Sequence, residues 1–191
     1  VFSEEIDARA GDRFFSIHPR RGTNSILDKK AGAYLHSIAS VKDLTGKNTH
    51  SKGGGILHTV HDNLLVGPDA METYEKENTE TRRESIETVF RKQKRTMPKL
   101  SEQDIITYFT GIRAPTFEED FIIEMGRRTG NILHCAGIQS PGLATAPAVA
   151  LDIEQMAVKY LSGIKKGEKN EGFDPIRHAP PVLNKMDDEI R

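Results

Sequence analysis

The longest helical pattern in the chain, at residues 140–162, is separated by only three residues from a strand pattern at residues 131–136. Ser140 is a residue type that helix N-caps prefer, and Pro141 suits the first helical position. The apolar residues that follow recur at helical spacing and form one face: Val149, Ile153, Met156, Tyr160 and Ile164. Pro147 lies inside this pattern and predicts a bend or a loosened second turn. This part of the chain is therefore predicted to be a strand that leads directly into a long helix.

The rest of the chain consists mainly of short strand patterns bounded by glycine and proline. These patterns lie at residues 14–18, 25–27, 34–41, 56–60, 63–67, 104–109 and 120–124. Helices are predicted at residues 3–10 and from Thr79 or Thr81 to about residue 96, and Thr81 with Glu84 is the better capping box. The polar, glycine-rich residues 42–55 predict a loop. Strands and helices in separate blocks indicate an α+β fold with a mostly antiparallel sheet and flanking helices.

Composition excludes several classes of function. The 27 basic and 28 acidic residues give a formal net charge of −1, so the chain has no global basic field for nucleic acid. No apolar run approaches the roughly 20 residues that a membrane span needs. Cys135 is the single cysteine, which excludes an internal disulfide framework, and we expect it to be buried in the core. A reducing cytoplasm is compatible with this composition.

Two arginine positions are candidates for binding an anion. Arg113 follows a strand pattern directly and precedes Ala114-Pro115, where a fixed guanidinium could hold a carboxylate or phosphate through two hydrogen bonds. A surface arginine at a strand end is the alternative. Arg20 and Arg21 are adjacent in an extended segment, so their side chains point to opposite faces and one can point inward. An anion site, an ion pair and two solvated arginines are all compatible with that pair.

The turn at residues 137–143 and two histidines are the other candidates. A helix that starts near Ser140 presents unpaired N–H groups, which suit a phosphate or the electron-rich edge of a reduced flavin. An ordinary strand–helix connection is an equal alternative.

His58 could accept a proton in a pocket, or could be a half-buried strand histidine. His134 lies in an apolar strand, where a core histidine is the expectation.

Six motifs occur together in one order along the chain. They are Ile17-His18-Pro19-Arg20-Arg21-Gly22, Asn63-Leu64-Leu65-Val66-Gly67-Pro68-Asp69-Ala70, Thr79-Glu80-Thr81-Arg82, Phe109-Thr110-Gly111-Ile112-Arg113, Asp120-Phe121-Ile122-Ile123-Glu124 and Ala136-Gly137-Ile138-Gln139-Ser140-Pro141-Gly142-Leu143. This set resembles the FAD-dependent oxidoreductases of the D-amino-acid oxidase superfamily. Within it, the chain resembles the anaerobic glycerol-3-phosphate dehydrogenase-like proteins and the related L-2-hydroxyglutarate oxidases. Each motif alone is weak, whereas the six in order are fairly specific.

The resemblance implies an enzyme that oxidises glycerol 3-phosphate, or a similar small anionic hydroxy compound, by hydride transfer to FAD. It implies that Arg113 binds the acidic group of the substrate, and Arg21 and His58 are further candidates for substrate binding. The flavin contacts implied by the resemblance are Gly137, Ile138, Gln139, Ser140, Pro141, Gly142 and Leu143. An L-2-hydroxyglutarate oxidase-like flavoenzyme and a non-catalytic anion-binding module are the alternatives. No metal site is expected.

The same resemblance implies a division of the chain and a set of partners. Residues 1–125 would form the substrate-binding domain, residues 126–166 the C-terminal strand–helix segment of the FAD domain, and residues 167–191 an extended linker tail. The chain contains no G-x-G-x-x-G, so we expect the N-terminal FAD-binding segment to belong to a longer parent protein. The resemblance also implies an iron–sulfur domain after the tail of that parent. The isolated chain is expected to be inactive and to hold little FAD. We expect a cytoplasmic protein, peripheral to the membrane through partner subunits, and a homo-oligomer is possible.

Overall fold

The computed structural model of the chain describes residues 1–40, 53–165, 167, 170–177 and 179. The chain divides into two compact units, Val1–Ala157 and Val158–Arg191. The α-helices of the described residues are α1 (Ser3–Arg9), α2 (Arg83–Gln93) and α3 (Gly142–Ser162), and 3₁₀ segments lie at Lys29–Tyr34 and Glu102–Asp104. The strands of the same residues are β1 (Arg20–Leu27), β2 (Ile38–Ala39), β3 (Gly55–His58), β4 (Leu64–Gly67), β5 (Met71–Glu72), β6 (Ile105–Arg113), β7 (Ile122–Met125) and β8 (Leu133–Ala136).

Strand β1 is the centre of a six-stranded antiparallel sheet. Along one edge it pairs with β6 over its whole length, from Arg20 opposite Arg113 to Leu27 opposite Ile105. Along the other edge it pairs with β5 near its start and with β4 near its end. Strand β3 pairs with β4, and β2 pairs with β3. The predicted α+β fold with a mostly antiparallel sheet is confirmed.

The core of the domain lies against one face of this sheet. Neighbouring residues of a strand point to opposite faces, and residues that pair directly across strands share a face. Leu27 of β1, Ile56 of β3 and Val66 of β4 lie on the face that packs against Val89 and Phe90 of α2, and all five are buried. We call this face the core face. Removal of this apolar surface from water is the main stabilising contribution of α2.

The opposite face, which we call the cavity face, is not covered by α2. It carries the residues that alternate with the core positions, namely Arg20, Gly22, Asn24 and Ile26 of β1, Arg113 and Gly111 of β6, Leu65 of β4 and Leu57 of β3. Leu57 is exposed here although it belongs to a central hairpin. The cavity face is therefore the surface on which a ligand can lie.

Strands β7 and β8 form a separate antiparallel pair, with Ile122 opposite Ala136 and Met125 opposite Leu133. Ala136 joins a second apolar cluster with Phe15 and Ile17. His134 is buried there, as the sequence predicted, and the rings of Phe14 and Phe15 contact it edge to face at 5.1 and 5.7 Å.

Two buried carboxylates hold the end of α1 against this strand pair. Asp12 Oδ1 accepts a hydrogen bond from the Arg128 amide at 2.5 Å, and Asp12 Oδ2 accepts one from Thr129 Oγ1 at 3.1 Å. His134 Nε2 lies 3.4 Å from Asp12 Oδ2 and 3.3 Å from Asp7 Oδ1. Asp12 therefore connects the segment that follows α1 to the turn between β7 and β8.

Several predicted strand boundaries were wrong. Residues 14–18 contribute only the isolated bridge of Ile17 with Thr116, because their backbone hydrogen bonds go to side chains and loops. The strand predicted at residues 34–41 is reduced to β2, because a 3₁₀ segment with Asp28 as its N-cap reaches Tyr34. Val41 and most of the predicted loop at residues 42–55 lie outside the described residues.

Both predicted helix caps were wrong. Helix α2 begins at Arg83, and Thr81 Oγ1 is instead hydrogen-bonded to Thr110 Oγ1 at 2.8 Å. Helix α3 begins at Gly142, because the carbonyl of Pro141 accepts the first helical hydrogen bond from the Thr145 amide at 3.1 Å. Pro147 lies within α3 as predicted.

Cys135 is exposed, contrary to the prediction that it is buried. Its neighbours on β8, His134 and Ala136, are both buried. Because side chains alternate along a strand, Cys135 points to the opposite side from these two residues.

We expect Asp12 to make the fold sensitive to acid. Burial acts to raise the pKa of Asp12, but hydrogen bonds from the Arg128 amide, His134 and Thr129 outweigh it, so the pKa lies below the ordinary 3.8. A pKa lowered by folding stabilises the protein above the unfolded pKa, and this stabilisation is lost as the pH falls through the folded pKa. Urea unfolding followed by circular dichroism should therefore show that wild type loses this stabilisation as the pH falls below about 4.

The Asp12→Asn variant should be less stable than wild type at pH 7 and should lose less stability over the same acid range. Asp152→Asn, an exposed change on α3, is the control and should follow wild type. An Asp12→Asn variant with the acid sensitivity of wild type would contradict the assignment.

Candidate functional site

A cavity of about 770 Å³ lies within the first compact unit, over the cavity face of the large sheet. One wall is formed by strand residues of that face, including Arg20, Arg113 and Leu57. The other wall comes from residues 119–121, just before β7, and residues 139–141, between β8 and α3. This volume is in the range of small-molecule sites, which run from about 300 to 1,000 Å³.

The register of β1 places three charged residues in one row across the sheet. Arg113 of β6 lies directly opposite Arg20 of β1, and Arg20 lies directly opposite Glu72 of β5. Two guanidinium groups on adjacent strands repel each other. Such a row is stable only where carboxylates neutralise at least one of the two arginines.

Arg20 is the neutralised arginine of the row. Its side chain is 2% exposed, its Nε donates to Glu72 Oε1 at 2.7 Å, and its Nη1 and Nη2 donate to the two carboxylate oxygens of Glu119. The hydrogen bond to Glu119 is the largest cause that raises the pKa of Arg20. His18 Nε2 lies 2.5 Å from Glu72 Oε2 and so gives this carboxylate a second contact. The charge of Arg20 is therefore balanced within the protein.

Arg113 is held by a neutral group instead. Its Nη2 donates to the backbone carbonyl of Asp69 at 2.7 Å, and within the described residues no ion pair joins it to a carboxylate. Burial lowers the pKa of Arg113, with the nearby Asp69 opposing this effect, yet an arginine stays protonated at neutral pH. A partly buried guanidinium on a cavity wall, without a carboxylate partner, is suited to bind an anion.

Gly22 makes room for the Arg113 side chain. It lies beside Arg20 on the cavity face, opposite Gly111 of β6. A Cβ atom on Gly22 would lie 2.7 Å from Cζ of Arg113 and closer still to one of its nitrogens. The guanidinium therefore lies flat over β1 only because residue 22 has no side chain.

The predicted flavin turn supplies three residues to the cavity wall: Gln139, Ser140 and Pro141. Gln139 Nε2 donates to Glu119 Oε2 at 2.8 Å, which joins this turn to the carboxylate that holds Arg20. Since the carboxylate can only accept hydrogen bonds, the Gln139 amide must point its NH₂ group at Glu119.

The other residues of this turn either pack against neighbouring parts of the protein or are exposed to solvent. Gly137 has a φ of 66°, and a Cβ there would lie 2.8 Å from both the Asp120 carbonyl and Thr116 Cγ2. Gly142 packs against the side chain of Ile138. Leu143 is 94% exposed. The flavin contacts predicted for these four residues stay predictions.

Arg21 and His58 do not line the cavity, because both lie on the core face of the sheet. Arg21 donates to the backbone carbonyl of Glu80, and His58 Nε2 lies 3.8 Å from Asp62 Oδ1. Of the two adjacent arginines, Arg20 is the one on the cavity wall. The substrate role predicted for Arg21 and His58 stays a prediction that their position does not favour.

Sequence reasoning missed Glu119 and Asp69 as parts of this wall. Glu119 lies in the acidic stretch Glu118-Glu119-Asp120, which reads as a solvated turn, and nothing in its local pattern indicates that it pairs with Arg20. Asp69 follows Gly67-Pro68 at a predicted turn. Its Oδ1 accepts a hydrogen bond from the Thr23 amide at 2.6 Å, which only the strand register reveals.

The cavity face of the sheet, Arg113 and the turn before α3 together line one cleft. Residues 2–156 match the model of the DAO family, described as FAD dependent oxidoreductase. The chain therefore belongs to this family of FAD-dependent oxidoreductases.

Two curated proteins that are similar to the chain are both named for activity on glycerol 3-phosphate. One is a glycerol 3-phosphate dehydrogenase of Caloramator mitchellensis, 34% identical over 190 residues, which cover 99% of this chain and 38% of that protein. Another is a glycerol 3-phosphate oxidase of Mycoplasma genitalium, 35% identical over 138 residues, which cover 71% of this chain and 35% of that protein. The chain thus spans less than two-fifths of the length of these relatives.

Solved structures share the fold. An L-alpha-glycerophosphate oxidase from Mycoplasma pneumoniae, solved with FAD bound, has a TM-score of 0.71 and 24% identity, covering 81% of this chain and 40% of that chain. A glycine oxidase from Geobacillus kaustophilus has a TM-score of 0.66 and 17% identity, covering 88% of this chain and 40% of that chain. Within the described residues, no helix has the length and apolar character to span a membrane.

The residues of the cleft fit a flavin ring. Gln139, Ser140 and Pro141 end at the start of α3, a helix of 21 residues. The partial positive charge at a helix N-terminus suits the pyrimidine edge of a flavin, which becomes electron-rich on reduction. The apolar side chains of Leu57 and Phe121 on the cavity wall suit the flat ring system.

We expect Gly22→Ala to weaken anion binding by displacing Arg113. In the full-length protein, the affinity for inorganic phosphate measured by calorimetry should fall about tenfold, as for the loss of one charged hydrogen bond. Gly111→Ala is the matched control, since a Cβ there meets no atom within 4 Å, and its affinity should equal that of wild type. Equal losses in both variants would show that Gly22 does not act through Arg113.

Proposed function

We propose that this chain is the substrate-binding part of an FAD-dependent oxidoreductase that oxidises the CH–OH group of glycerol 3-phosphate. The observation that carries the proposal is Arg113, a guanidinium on the cavity wall that has no carboxylate partner within the described residues. The names of the two similar curated proteins support the choice of substrate.

Arg113 would bind the phosphate of the substrate. A guanidinium can donate two parallel hydrogen bonds to two phosphate oxygens, which fixes both the position and the orientation of the group. The hydrogen bond from Arg113 Nη2 to the Asp69 carbonyl restrains the side chain before the substrate arrives. Less conformational freedom is then lost on binding.

The wall opposite Arg113 would face the cofactor. When bound, FAD accepts a hydride from the carbon that carries the substrate hydroxyl. Residues 139–141 would hold the pyrimidine edge of the ring near the start of α3, and Phe121 and Leu57 would exclude water from the space between. The substrate would then lie between Arg113 and this turn.

We expect Arg113→Ala to raise KM for glycerol 3-phosphate about 100-fold in the full-length enzyme, since truncating one partner of a buried charge pair costs several kcal/mol. Arg113→Lys should recover part of this loss, because an ammonium supplies the charge without the paired donors. Dye-reduction kinetics measure both effects. Arg91→Ala, an exposed arginine on α2, is the control. Unchanged KM in Arg113→Ala would show that the phosphate binds elsewhere.

We also expect the full-length protein to be yellow. Its absorption spectrum should show the bands of oxidised flavin, and anaerobic addition of glycerol 3-phosphate should bleach them. Bleaching by L-2-hydroxyglutarate but not by glycerol 3-phosphate would favour the hydroxyglutarate oxidase alternative. A colourless protein that releases no flavin on denaturation would indicate the non-catalytic anion-binding module and would contradict the proposed function.

A further inference from the structure

The carboxylate of Glu119 is held on the cavity wall by partners that include Arg20 and Gln139. Its Oε1 accepts from Arg20 Nη2, and its Oε2 accepts from Arg20 Nη1 at 3.2 Å and from Gln139 Nε2 at 2.8 Å. Both oxygens are therefore engaged, and the side chain is 26% exposed. Glu119 bridges the arginine of β1 and the turn that leads into α3.

The backbone of Glu119 is held in an unusual conformation. Its φ is 59°, in the left-handed region that non-glycine residues rarely adopt, and its amide donates to the Thr116 carbonyl at 3.2 Å. Backbone strain of this kind persists where the surrounding structure determines it, and it is concentrated at functional sites. In this conformation the Glu119 side chain contacts Arg20.

The Glu119 carboxylate changes the net charge of the cavity wall that a ligand would contact. Two cationic side chains line the wall within the described residues, Arg20 and Arg113, together with the acidic side chains of Asp69, Glu119 and Asp120. Glu119 and Glu72 balance Arg20. Of the two cationic side chains that the described residues place on the wall, Arg113 is the one without an ion pair to a carboxylate.

A ligand with two anionic groups would place only one of them on Arg113. The second would meet the carboxylates of Glu119 and Asp120, and an unpaired like charge in a partly desolvated cavity is strongly unfavourable. A ligand with one anionic group and neutral hydroxyls avoids this repulsion.

We propose that Glu119 sets the charge selectivity of the cavity: by neutralising Arg20, it restricts the substrate to one anionic group and excludes dicarboxylates. This inference rests on the proposed function and deepens it, since it separates glycerol 3-phosphate from 2-hydroxyglutarate. Glu119 is a specificity-determining residue in this account, whereas Arg113 binds the anion.

The test compares Glu119→Gln with Glu118→Gln in the full-length holoenzyme. Both changes remove one negative charge from the same turn, but Glu118 is exposed and does not line the cavity. The quantity measured is kcat/KM for L-2-hydroxyglutarate divided by kcat/KM for glycerol 3-phosphate. Glu119→Gln should raise this ratio by about tenfold or more, as expected for relief of one like-charge contact. Glu118→Gln should keep the wild-type ratio.

Two further measurements separate selectivity from damage to the fold. Glu119→Asp keeps the charge on a shorter side chain, so it should lower both activities and keep the wild-type ratio. Binding of glutarate and of inorganic phosphate, followed through perturbation of the flavin absorption bands, should show the same shift toward the dicarboxylate in Glu119→Gln alone.

The outcomes distinguish this inference from the proposed function. If wild type oxidises glycerol 3-phosphate but the ratio is the same in Glu119→Gln and Glu118→Gln, the proposed function stands and the role of Glu119 is wrong. A shift in Glu119→Asp as large as in Glu119→Gln would also overturn it, because the charge would not be the cause. If wild type oxidises neither compound, the proposed function fails, and the glutarate and phosphate affinities still decide whether Glu119 sets the selectivity.

Discussion

The row of Arg113, Arg20 and Glu72 across β6, β1 and β5 is the constraint on which the candidate site depends. Strand register places two arginines side by side, which would be unfavourable without compensation. Glu72 and Glu119 form ion pairs with Arg20, whereas within the described residues no ion pair joins Arg113 to a carboxylate, so the guanidinium of Arg113 keeps a charge on the cavity wall. A slip of one residue in the β1–β6 register would send Arg113 to the other face and abolish the site.

The same alternation of side chains gives the large sheet two different roles. Its core face buries Leu27, Ile56 and Val66 against α2, which provides most of the apolar stabilisation. On its cavity face Leu57 is exposed. Gly22 has no side chain there, which leaves room for the Arg113 guanidinium over β1. The turns that flank β7 and β8 complete the wall, and the hydrogen bond between Glu119 and Gln139 connects them.

The parts of the fold that sequence predicted well depend on local patterns. The hairpin of β3 and β4, the strand β6 and the long helix α3 with Pro147 all follow from hydrophobic periodicity and turn residues.

Arg113 was found because it ends a strand pattern, and its position on the cavity wall agrees with its predicted role. Local sequence shows that Arg20 and Arg21 face opposite sides of a strand but not which side is the core, so it could not decide which of the two lines the cavity. Glu119 could not be found, since its partner Arg20 lies 99 residues away and only the tertiary fold brings them together.

We propose that Arg113 binds the anionic group of the substrate, and a crystal structure of the full-length protein with glycerol 3-phosphate would show whether it does. We expect two phosphate oxygens at about 2.7–2.9 Å from the Arg113 guanidinium nitrogens, the spacing of charged hydrogen bonds. Arg20 should stay paired with Glu72 and Glu119 in that complex. A phosphate bound away from Arg113, or bound to Arg20 after displacement of Glu119, would contradict the account.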